Sequence, residues 1–233
     1  MGTKLCLIAT DAISFNVLYH GQLEFLHRAG LDLTMICGGN PAEVMRLRQR
    51  QVGRVIDLGF VRPPSPLRDG LGLLRLLVHL FANRYDIVLS TTPKAILLGS
   101  IASWLSFQRN RIVFFQGRVY ENATGLVRRL YAGLDRLAIA LSTTVLFVSN
   151  SLRAMYEAEH LIPPGIGEVI GAGSVNGVDI DRFCFKEHGG ADTIALRQKM
   201  GIRPGQLVVL SVGRICRDKG LAELTAIAEA HTT

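Results

Sequence analysis

Residues 5–37 read LCLIATDAISFNVLYHGQLEFLHRAGLDLTMIC, and their pattern decides the fold. Leu5–Thr10 and Leu33–Cys37 are short, almost continuous apolar runs, as expected of parallel strands that are buried on both faces. Between them, Phe15–Ala29 repeats apolar residues at spacings of three and four, which predicts a helix with one buried face. Gly30 follows, where a glycine commonly ends a helix. This segment therefore predicts a strand, a helix and a second, parallel strand.

The same alternation continues along most of the chain. Further strands are predicted at Arg54–Leu58, Asp86–Ser90, Ile112–Phe115, Thr144–Val148 and Val169–Ala172. Further helices are predicted to begin at Pro41 and to cover Leu71–Phe81, Pro93–Leu105, Thr124–Leu141 and Ser149–His160, with Val61–Gly70 as the main loop. Repeated βα units of this kind predict an α/β fold with an open, doubly wound parallel sheet, a Rossmann-like domain.

The composition changes after Phe183. Residues 184–206 are polar, with a Gly-Gly pair and one short helical pattern, Thr193–Met200, so we interpret them as a linker. Leu207–Val212 is a new apolar run that predicts an eighth strand, and Leu221–Ala230 predicts the helix after it. We therefore expect a first domain over residues 1–183 and the first βα unit of a second domain over residues 207–233.

The overall composition fits a folded protein with an anionic partner. Of the 233 residues, 48% are hydrophobic and 19% charged, which excludes a disordered chain. Lys and Arg outnumber Asp and Glu by 26 to 19, which suits a phosphorylated ligand, an anionic membrane or nucleic acid, or is simply an ordinary basic surface. Four scattered cysteines without metal-ligand spacing favour a reducing, cytoplasmic location and no metal site. We expect neither a signal peptide nor a membrane-spanning helix.

Several common functional motifs are missing from the sequence. It contains no G-x-x-x-x-G-K-[ST] loop, no G-x-G-x-x-G after the first strand, no G-x-S-x-G and no H-E-x-x-H. These absences argue against nucleotide hydrolysis, nicotinamide redox chemistry and serine hydrolysis. RNA-recognition aromatics, zinc knuckles and a sustained basic helix are also missing, so we expect no nucleic-acid partner.

Polar residues cluster where two of the predicted strands end. Thr10, Asp11 and Ser14 follow the first strand, where doubly wound folds bind their ligands. Asp11 or Ser14 could equally cap the following helix. Lys94 follows the fourth strand at a helix start, where a cation is unfavourable, so a ligand or an acidic partner would explain it. Simple solvation of the lysine is the alternative.

A third and a fourth cluster complete the candidate site. The third follows the fifth predicted strand and consists of Gln116, Gly117, Arg118 and Glu121. Such a loop suits sugar hydroxyls, and the planar fork of Arg118 suits a phosphate or carboxylate, unless the loop is polar without a ligand. The fourth consists of Arg214 and Lys219, after the predicted eighth strand. Two cations at that turn would suit a diphosphate leaving group.

Short motifs in order along almost the whole chain carry a family resemblance. They are Thr91–Ala95 (TTPKA), Gly117–Ala138, Val148–Arg153 (VSNSLR), Asn176–Asp179 (NGVD) before Phe183, Val212–Arg214 (VGR) and Asp218–Gly220 (DKG). Together they resemble the retaining glycosyltransferases of family 4, whose GT-B fold consists of two facing Rossmann-like domains. The second motif resembles the branch that builds bacterial surface polysaccharides.

The resemblance implies a reaction and roles for particular residues. It implies transfer of a sugar from a nucleotide-sugar donor, a UDP-sugar, to a growing glycan on a polyprenyl diphosphate lipid. It further implies retention of the anomeric configuration, with neither a metal nor another cofactor. Arg214 and Lys219 match positions that hold the donor diphosphate, and the Thr10–Ser14 loop matches one beside donor and acceptor. Gln116 stands where many members have histidine, so the catalytic residue stays unassigned.

The sequence departs from the family at its C-terminal end and leaves alternatives open. The family's second domain is much longer and has an E-x7-E element that is missing here. We therefore expect an acceptor-side half that is inactive in transfer by itself. The alternatives are a non-catalytic module that binds a glycan or a partner subunit and, less favoured, a sugar-nucleotide epimerase of the same fold.

Two segments also suggest contact with a membrane. Gly70–Asn83 carries Arg75 and His79 among leucines, and Arg128 and Arg129 form a basic pair. Such segments could lie on an anionic surface, although leucine-rich helices more often pack against a sheet. We expect a cytoplasmic protein, and contact with the inner face of the cell membrane stays open.

Overall fold

Seven parallel strands form one sheet in the computed structural model, which describes residues 2–183, 191–213, 215 and 219–230. The strands are β1 Lys4–Ile8, β2 Asp32–Cys37, β3 Arg54–Asp57, β4 Ile87–Thr91, β5 Arg111–Phe115, β6 Thr144–Phe147 and β7 Glu168–Val169. Their order in the sheet is β3-β2-β1-β4-β5-β6-β7, and each neighbouring pair is parallel. The direction of winding reverses between β1 and β4, so the predicted doubly wound, Rossmann-like fold is confirmed.

Helices cover both faces of the sheet. They are α1 Ala12–Leu18, α2 Gln22–Arg28, α3 Pro41–Gln49, α4 Pro66–Ala82, α5 Pro93–Leu105, α6 Gly125–Ala140 and α7 Asn150–Ala158. Two further helices, α8 Ala191–Lys199 and α9 Leu221–Ala230, occur in the C-terminal part of the chain. Leu5 and Leu7 of β1 pack in a core with α1 and α3, whereas Cys6 and Ile8 pack in a second core with α4 and α5. Alternate residues of one buried strand thus serve two faces, which explains its continuous apolar run. A third core joins α6 and α7 to β5 and β6.

The helix predicted over Phe15–Ala29 is two helices, so that prediction is wrong in detail. The chain turns between α1 and α2 at Gly21, whose φ of +76° is a left-handed value that glycine adopts readily. Arg50 fixes the break, because its Nη1 and Nη2 donate to the carbonyl oxygens of Phe15 and Tyr19 over 2.8 and 3.0 Å. The same guanidinium holds both carboxylate oxygens of Glu24 at 2.8 Å and lowers the pKa of that group to about 2.

The loop predicted over Val61–Gly70 is shorter than expected, because α4 already begins at Pro66. Proline suits the first helical position, since it has no N–H to leave unpaired there. The carboxylate of Asp69 accepts the backbone N–H of Ser65 at 2.9 Å and the N–H of Asp69 donates to the carbonyl of Ser65. The sequence pattern missed this first turn because Leu67 is exposed and does not continue the buried stripe.

The C-terminal predictions are partly wrong. The chain forms two compact units, Met1–Val178 and Asp179–Thr233. Within the second unit, α9 has the predicted bounds, but Leu207–Val212 forms no strand and its apolar side chains are exposed. A strand needs a neighbour to hydrogen-bond with, and the described part of this unit provides none. In the first unit, the strand predicted over Val169–Ala172 is reduced to Glu168–Val169.

Local signals elsewhere are confirmed. Gly30 ends α2 with a φ of +86°, and Asn40 caps α3 by accepting the N–H of Ala42, with Pro41 at the first helical position. Cys6 and Cys37 are buried free thiols within the core, as their apolar surroundings predict. Because all seven strands are parallel, their carboxyl ends lie at one edge of the sheet.

Candidate functional site

The candidate site is the crevice at the carboxyl ends of β1 and β4, where the winding of the sheet reverses. The backbone N–H of Thr10 donates to Thr92 Oγ1 at 3.0 Å, and the two Oγ1 atoms are 2.9 Å apart. The two loops that leave these strands are thereby joined across the crevice. Thr91 lies beneath and is fully buried, and its side chain interacts with the Tyr19 hydroxyl.

Thr92 carries backbone strain at this edge. Its φ of +70° is rare for any residue except glycine and more so for a β-branched one. The conformation costs on the order of 1–3 kcal/mol and persists only where the surrounding structure holds it. Here the two contacts with Thr10 and the start of α5 hold it. The strained turn points the Thr92 hydroxyl at the neighbouring loop.

Asp11 lies between β1 and α1, and Ser14 lies in the first turn of α1. Asp11 is the N-cap of α1, since its Oδ1 accepts the N–H of Ile13 at 3.0 Å. Ser14 is half-buried, and its backbone N–H donates to the carbonyl of Asp11. Asp11 packs so tightly on Gly39 that a Cβ there would lie 2.5 Å from Oδ1. The loop after β2 therefore packs closely against the loop after β1.

Gln116 and Gly117 follow β5 on the same edge. Gln116 Nε2 donates to the hydroxyl of Tyr19 at 3.3 Å, which links this loop to the end of α1. Tyr19 is buried, and burial raises the pKa of its phenol. Gly117 is exposed, and a Cβ placed on it would meet no atom within 4 Å. Space is therefore open beside the Gly117 backbone.

Lys94 has an acidic partner within the chain. Its Nζ lies 2.7 Å from Asp69 Oδ1 and 2.7 Å from each of the carbonyl oxygens of Val61 and Pro63. Three contacts use all three protons of an ammonium group. The lysine, whose side chain is 15% exposed, therefore ties the loop before α4 to the start of α5. The sequence left a ligand, an acidic partner or solvation as explanations for this lysine, and in the structure it has an acidic partner.

Arg118 also has a partner within the chain. Its Nη1 and Nη2 donate to the two carboxylate oxygens of Glu159 over 2.7 and 2.6 Å, and its side chain is only 1% exposed. Arg128 adds a third bond to the same carboxylate at 2.7 Å. The hydrogen bonds from Arg118 lower the pKa of Glu159. The Arg118 guanidinium, which the sequence predicted to bind a phosphate or carboxylate ligand, is thus bound to the Glu159 carboxylate.

Two tyrosines extend this network under the loop after β5. The Arg118 guanidinium lies over the rings of Tyr120 and Tyr156, 4.6 and 5.4 Å from their centroids. Both hydroxyls donate to Asp135 Oδ2, over 2.6 and 2.7 Å, and burial raises the pKa of that carboxyl. Glu121 is exposed in this loop, and its carbonyl accepts Arg128 Nη1 at 3.3 Å. The network fixes the loop that carries Gln116.

A cavity of about 310 Å³ lies beside the carboxyl ends of β5 and β6. It is lined by Gln22, Phe114, Phe147 and the loop from Ile170 to Gly177. Gln22 Oε1 is buried without a hydrogen-bond partner in the described part of the chain. Asn176 Nδ2 donates to the carbonyl of His20 at 2.5 Å, so this loop is fastened to the break between α1 and α2.

Comparison with known proteins shows the family. A family model described as a glycosyl transferase 4-like domain matches residues 19–173, about two thirds of the chain. The chain belongs to the glycosyl transferase 4-like family. The match includes β2 to β7 and the loops after β4 and β5 that carry Lys94 and Gln116.

Individual relatives of this family member agree with that assignment. The capsular polysaccharide biosynthesis glycosyltransferase CapM of Staphylococcus aureus is 26% identical over 208 residues, which are 89% of this chain and 52% of CapM. A glycosyltransferase from Rickettsia africae shares the fold with a TM-score of 0.67 and 16% identity, over 99% of this chain and 58% of its own. HepE of Anabaena, in complex with UDP-glucose, shares it with a TM-score of 0.57 and 16% identity, over 85% and 50%. The chain spans about half the length of CapM.

The remaining predicted site residues lie in the second unit of this family member. Lys219 is exposed just before α9, and a Cβ on Gly213 would lie 4.0 Å from its Cγ. Arg214 lies outside the described residues. In the described ranges no three His, Cys, Asp or Glu side chains are grouped so as to hold a metal ion. No helix in the same ranges is both long enough and apolar enough to cross a membrane.

The sequence pattern missed three residues that organise the site. Tyr19 was predicted only as part of an apolar helix face, yet its hydroxyl meets Gln116. Asp69 and Glu159 were not predicted as partners of the two cations. An acid at a helix start, beside a proline-rich loop, is a local signal that could have pointed to Asp69. Glu159 is 41 residues from Arg118 and carries no such local signal.

Proposed function

We propose that this chain is the acceptor-side part of a glycosyltransferase that transfers a sugar from a nucleotide-sugar donor to a glycan in surface polysaccharide biosynthesis. The glycosyl transferase 4-like match over residues 19–173 carries this proposal. The donor proposed is a UDP-sugar, and the acceptor is a glycan on a polyprenyl diphosphate lipid. The reaction proposed retains the anomeric configuration and needs no metal or other cofactor. By itself the chain is proposed to be inactive in transfer.

The relatives support the proposal at different levels. CapM, at 26% identity, is a capsular polysaccharide biosynthesis glycosyltransferase, which supports this biosynthetic role. HepE has been determined with UDP-glucose and shares the fold, which makes UDP-sugars the first donors to test. The family match favours transfer over both alternatives, the binding module and the sugar-nucleotide epimerase.

The geometry supports different roles for the candidate residues. Thr10, Asp11, Gln116, Gly117 and Glu121 lie in loops at the carboxyl edge of the sheet, and Ser14 lies in the first turn of α1. We propose that these residues face the acceptor. Lys94 and Arg118 are bound to Asp69 and Glu159, so we propose that they position these loops and do not bind the acceptor directly. Arg214 and Lys219 remain the residues proposed to hold the donor diphosphate.

A transfer assay tests the proposal. A protein extended to the length of CapM would be incubated with a panel of radiolabelled UDP-sugars and lipid-linked glycan acceptors, in parallel with the present chain. We expect the extended protein to label the acceptor and the present chain to leave it unlabelled. Gln116→Ala should lower the transfer rate at least tenfold, as is typical when a positioned polar group at a reacting centre is removed. Gln49→Ala, on the exposed side of α3, is the matched control and should leave the rate unchanged.

Two results would contradict the proposal in different ways. An isomerised nucleotide sugar with no labelled acceptor would indicate an epimerase. Glycan binding by the extended protein without transfer from any UDP-sugar would indicate a binding module. Equal transfer by Gln116→Ala and Gln49→Ala would keep the activity but remove Gln116 from the site.

A further inference from the structure

The cavity of about 310 Å³ beside the carboxyl ends of β5 and β6 lies wholly within the first unit. Gln22 lines one part of it, Phe114 and Phe147 another, and the loop of residues 170–177 the rest. Small-molecule sites in proteins usually measure about 300–1,000 Å³, so this volume suits one sugar unit and is too small for a whole nucleotide-sugar.

The loop of residues 170–177 is held in place by contacts within the chain. Gly173 has a φ of +89°, and a Cβ there would lie 2.6 Å from the carbonyl oxygen of Val148, so the loop packs closely on the chain that leaves β6. The backbone N–H of Gly177 donates to Ser174 Oγ at 2.8 Å. A wall that is ordered before the ligand arrives reduces the entropy that binding costs.

Gln22 brings a buried, unpaired oxygen to the cavity. Its Oε1 has no hydrogen-bond partner among the residues that the structure describes, which is unfavourable for a buried acceptor. An amide oxygen only accepts, so a ligand that pairs with it must supply an O–H or an N–H. Asn176 Nδ2 donates to the carbonyl of His20, two residues before Gln22, and this bond fixes the loop relative to the unpaired oxygen.

The lining of the cavity selects a neutral ligand. None of the described residues that line it is charged, so a phosphate or carboxylate would lose its water without gaining a cation. Phe114 and Ile170 are apolar, whereas Ser174 is polar. A purely apolar ligand would leave Gln22 Oε1 unpaired. A neutral ligand that has both hydroxyls and an apolar face suits all of these groups.

The cavity is adjacent to the loop that carries Gln116. Phe115 packs in the core with α6 and α7, so the alternation along β5 directs Phe114 to the opposite face of the sheet. Gln116 lies two residues after Phe114, about 7 Å along an extended chain. Its Nε2 donates to the hydroxyl of Tyr19, which precedes Gln22 by three residues. A ligand in the cavity would therefore lie beside the candidate crevice.

We propose that this cavity binds one neutral sugar unit of the acceptor glycan. A sugar hydroxyl donates to Gln22 Oε1, and the apolar face of the sugar ring packs against the Phe114 ring, whose electron-rich face attracts C–H groups. The role of the cavity as an acceptor subsite rests on the proposed function, whereas its binding of a sugar does not. Gln22 and Phe114 then select the sugar unit that lies next to Gln116.

Titration of the present chain with neutral sugars tests the cavity directly. The probes are the methyl glycosides of glucose, galactose, mannose and N-acetylglucosamine, added to ¹⁵N-labelled protein whose amide signals are followed by NMR. We expect at least one probe to shift the signals of residues 170–177 with a Kd of about 1–10 mM, since one sugar unit makes few contacts. Uridine diphosphate should leave these signals unshifted, because the described lining carries no cation.

Substitutions in the wall test the two contacts separately. Gln22→Leu removes the oxygen and keeps the size of the side chain, so Kd should rise at least about fivefold. Without sugar this variant should be as stable in urea as the wild type, or slightly more so, because it buries no unpaired acceptor. Phe114→Leu should weaken binding severalfold, since it removes the aromatic face. Gln49→Leu, the same exchange at an exposed position of α3, is the matched control and should leave Kd unchanged.

Three results would overturn the sugar subsite. They are the absence of shifts with every probe up to about 0.1 M, an equal Kd for Gln22→Leu and Gln49→Leu, and displacement of the sugar by uridine diphosphate, which would assign the cavity to the donor. None of them depends on sugar transfer. Sugar binding by the present chain without transfer by the extended protein would refute the proposed function and keep the sugar site. Transfer by the extended protein without sugar binding in the cavity would do the reverse.

Discussion

Replacing Glu159, at the end of α7, by glutamine should destabilise the first unit more than any single change in the loop after β5. The carboxylate accepts both terminal nitrogens of Arg118, whose side chain is 1% exposed. Removing the charge leaves a buried guanidinium without a counter-ion, which costs about 3–5 kcal/mol in buried pairs. Glu159 is itself 31% exposed and glutamine keeps one acceptor oxygen, so we expect the lower end, about 3 kcal/mol.

Replacing the arginine should cost less, although it removes the same pair. Arg118→Met keeps the apolar stem against Tyr120 and leaves Glu159 with Arg128 and solvent. It also removes a buried Nε that has no partner among the described residues. The lost cation–π contacts and hydrogen bonds amount to about 2 kcal/mol. The double variant should then cost about 2–3 kcal/mol instead of the sum of about 5, since no buried charge remains.

Urea unfolding followed by tryptophan fluorescence measures these differences. Trp104 is the only tryptophan of the sequence and lies in the first unit, so its signal reports on that unit. With an m-value of about 2 kcal/mol/M, Glu159→Gln should lower the midpoint by about 1.5 M without changing the slope. The matched control is Glu157→Gln, two residues away, whose pair with Arg153 spans 3.8 Å on the helix surface. Both side chains of that pair are about one-third exposed, and the pair is too long for a hydrogen bond, so it should contribute less than about 0.5 kcal/mol.

The reasoning would be refuted if the free-energy costs of Glu159→Gln and Arg118→Met added up in the double variant. Additivity would mean that Arg118 and Glu159 do not depend on each other, and that the guanidinium is held by the aromatic rings alone. A cost for Glu159→Gln no larger than that for Glu157→Gln would refute it as well, because solvent would then be compensating the arginine.

Three further predictions concern the same unit. Lys94→Met should destabilise it by about 2 kcal/mol in urea, because three acceptors lose their ammonium donor. Gly39→Ala should lower the melting temperature by several degrees, since φ is +94° and the new Cβ would collide with Asp11, whereas Gly70→Ala, in open space on a helix, should raise it slightly. The folded-state pKa of Glu159 lies below its unfolded value, so its stabilisation is complete above about pH 4.3 and is lost as the pH falls through the folded pKa. The difference in urea midpoint between wild type and Glu159→Gln should accordingly shrink in acid.

Local sequence signals predict most of this fold, because each buried parallel strand is encoded by a short, almost continuous apolar run. Each of β1 to β6 coincides with an apolar run within about two residues, and the βα alternation predicts the doubly wound parallel sheet, although it does not give the strand order. The end of α2 at Gly30 and the start of α3 at Pro41 are also set by local properties. The first depends on the backbone freedom of glycine, and the second on the missing N–H of proline. Sequence alone also placed the polar loops at the correct edge of the sheet.

The predictions from sequence are wrong where a contact between residues that are distant in the sequence determines the structure. The helix over Phe15–Ala29 breaks because Arg50, just after the end of α3, binds the carbonyl oxygens at the break. Leu207–Val212 has the composition of a strand, but the described part of its unit offers no strand to pair with. In both cases the local propensity was read correctly and a missing or additional partner changed the outcome.

The same principle changes which polar residues are the better candidates for ligand binding. The two cations that the sequence favoured, Lys94 and Arg118, already have carboxylate partners, and a ligand would have to displace those partners at a cost comparable with the binding energy it gains. Gln22 Oε1, in contrast, is buried beside the cavity without a partner among the described residues, and a ligand hydroxyl would relieve that cost. A polar side chain beside a cavity therefore becomes a stronger candidate when the fold leaves it unpaired, and a charge becomes a weaker one when the fold pairs it.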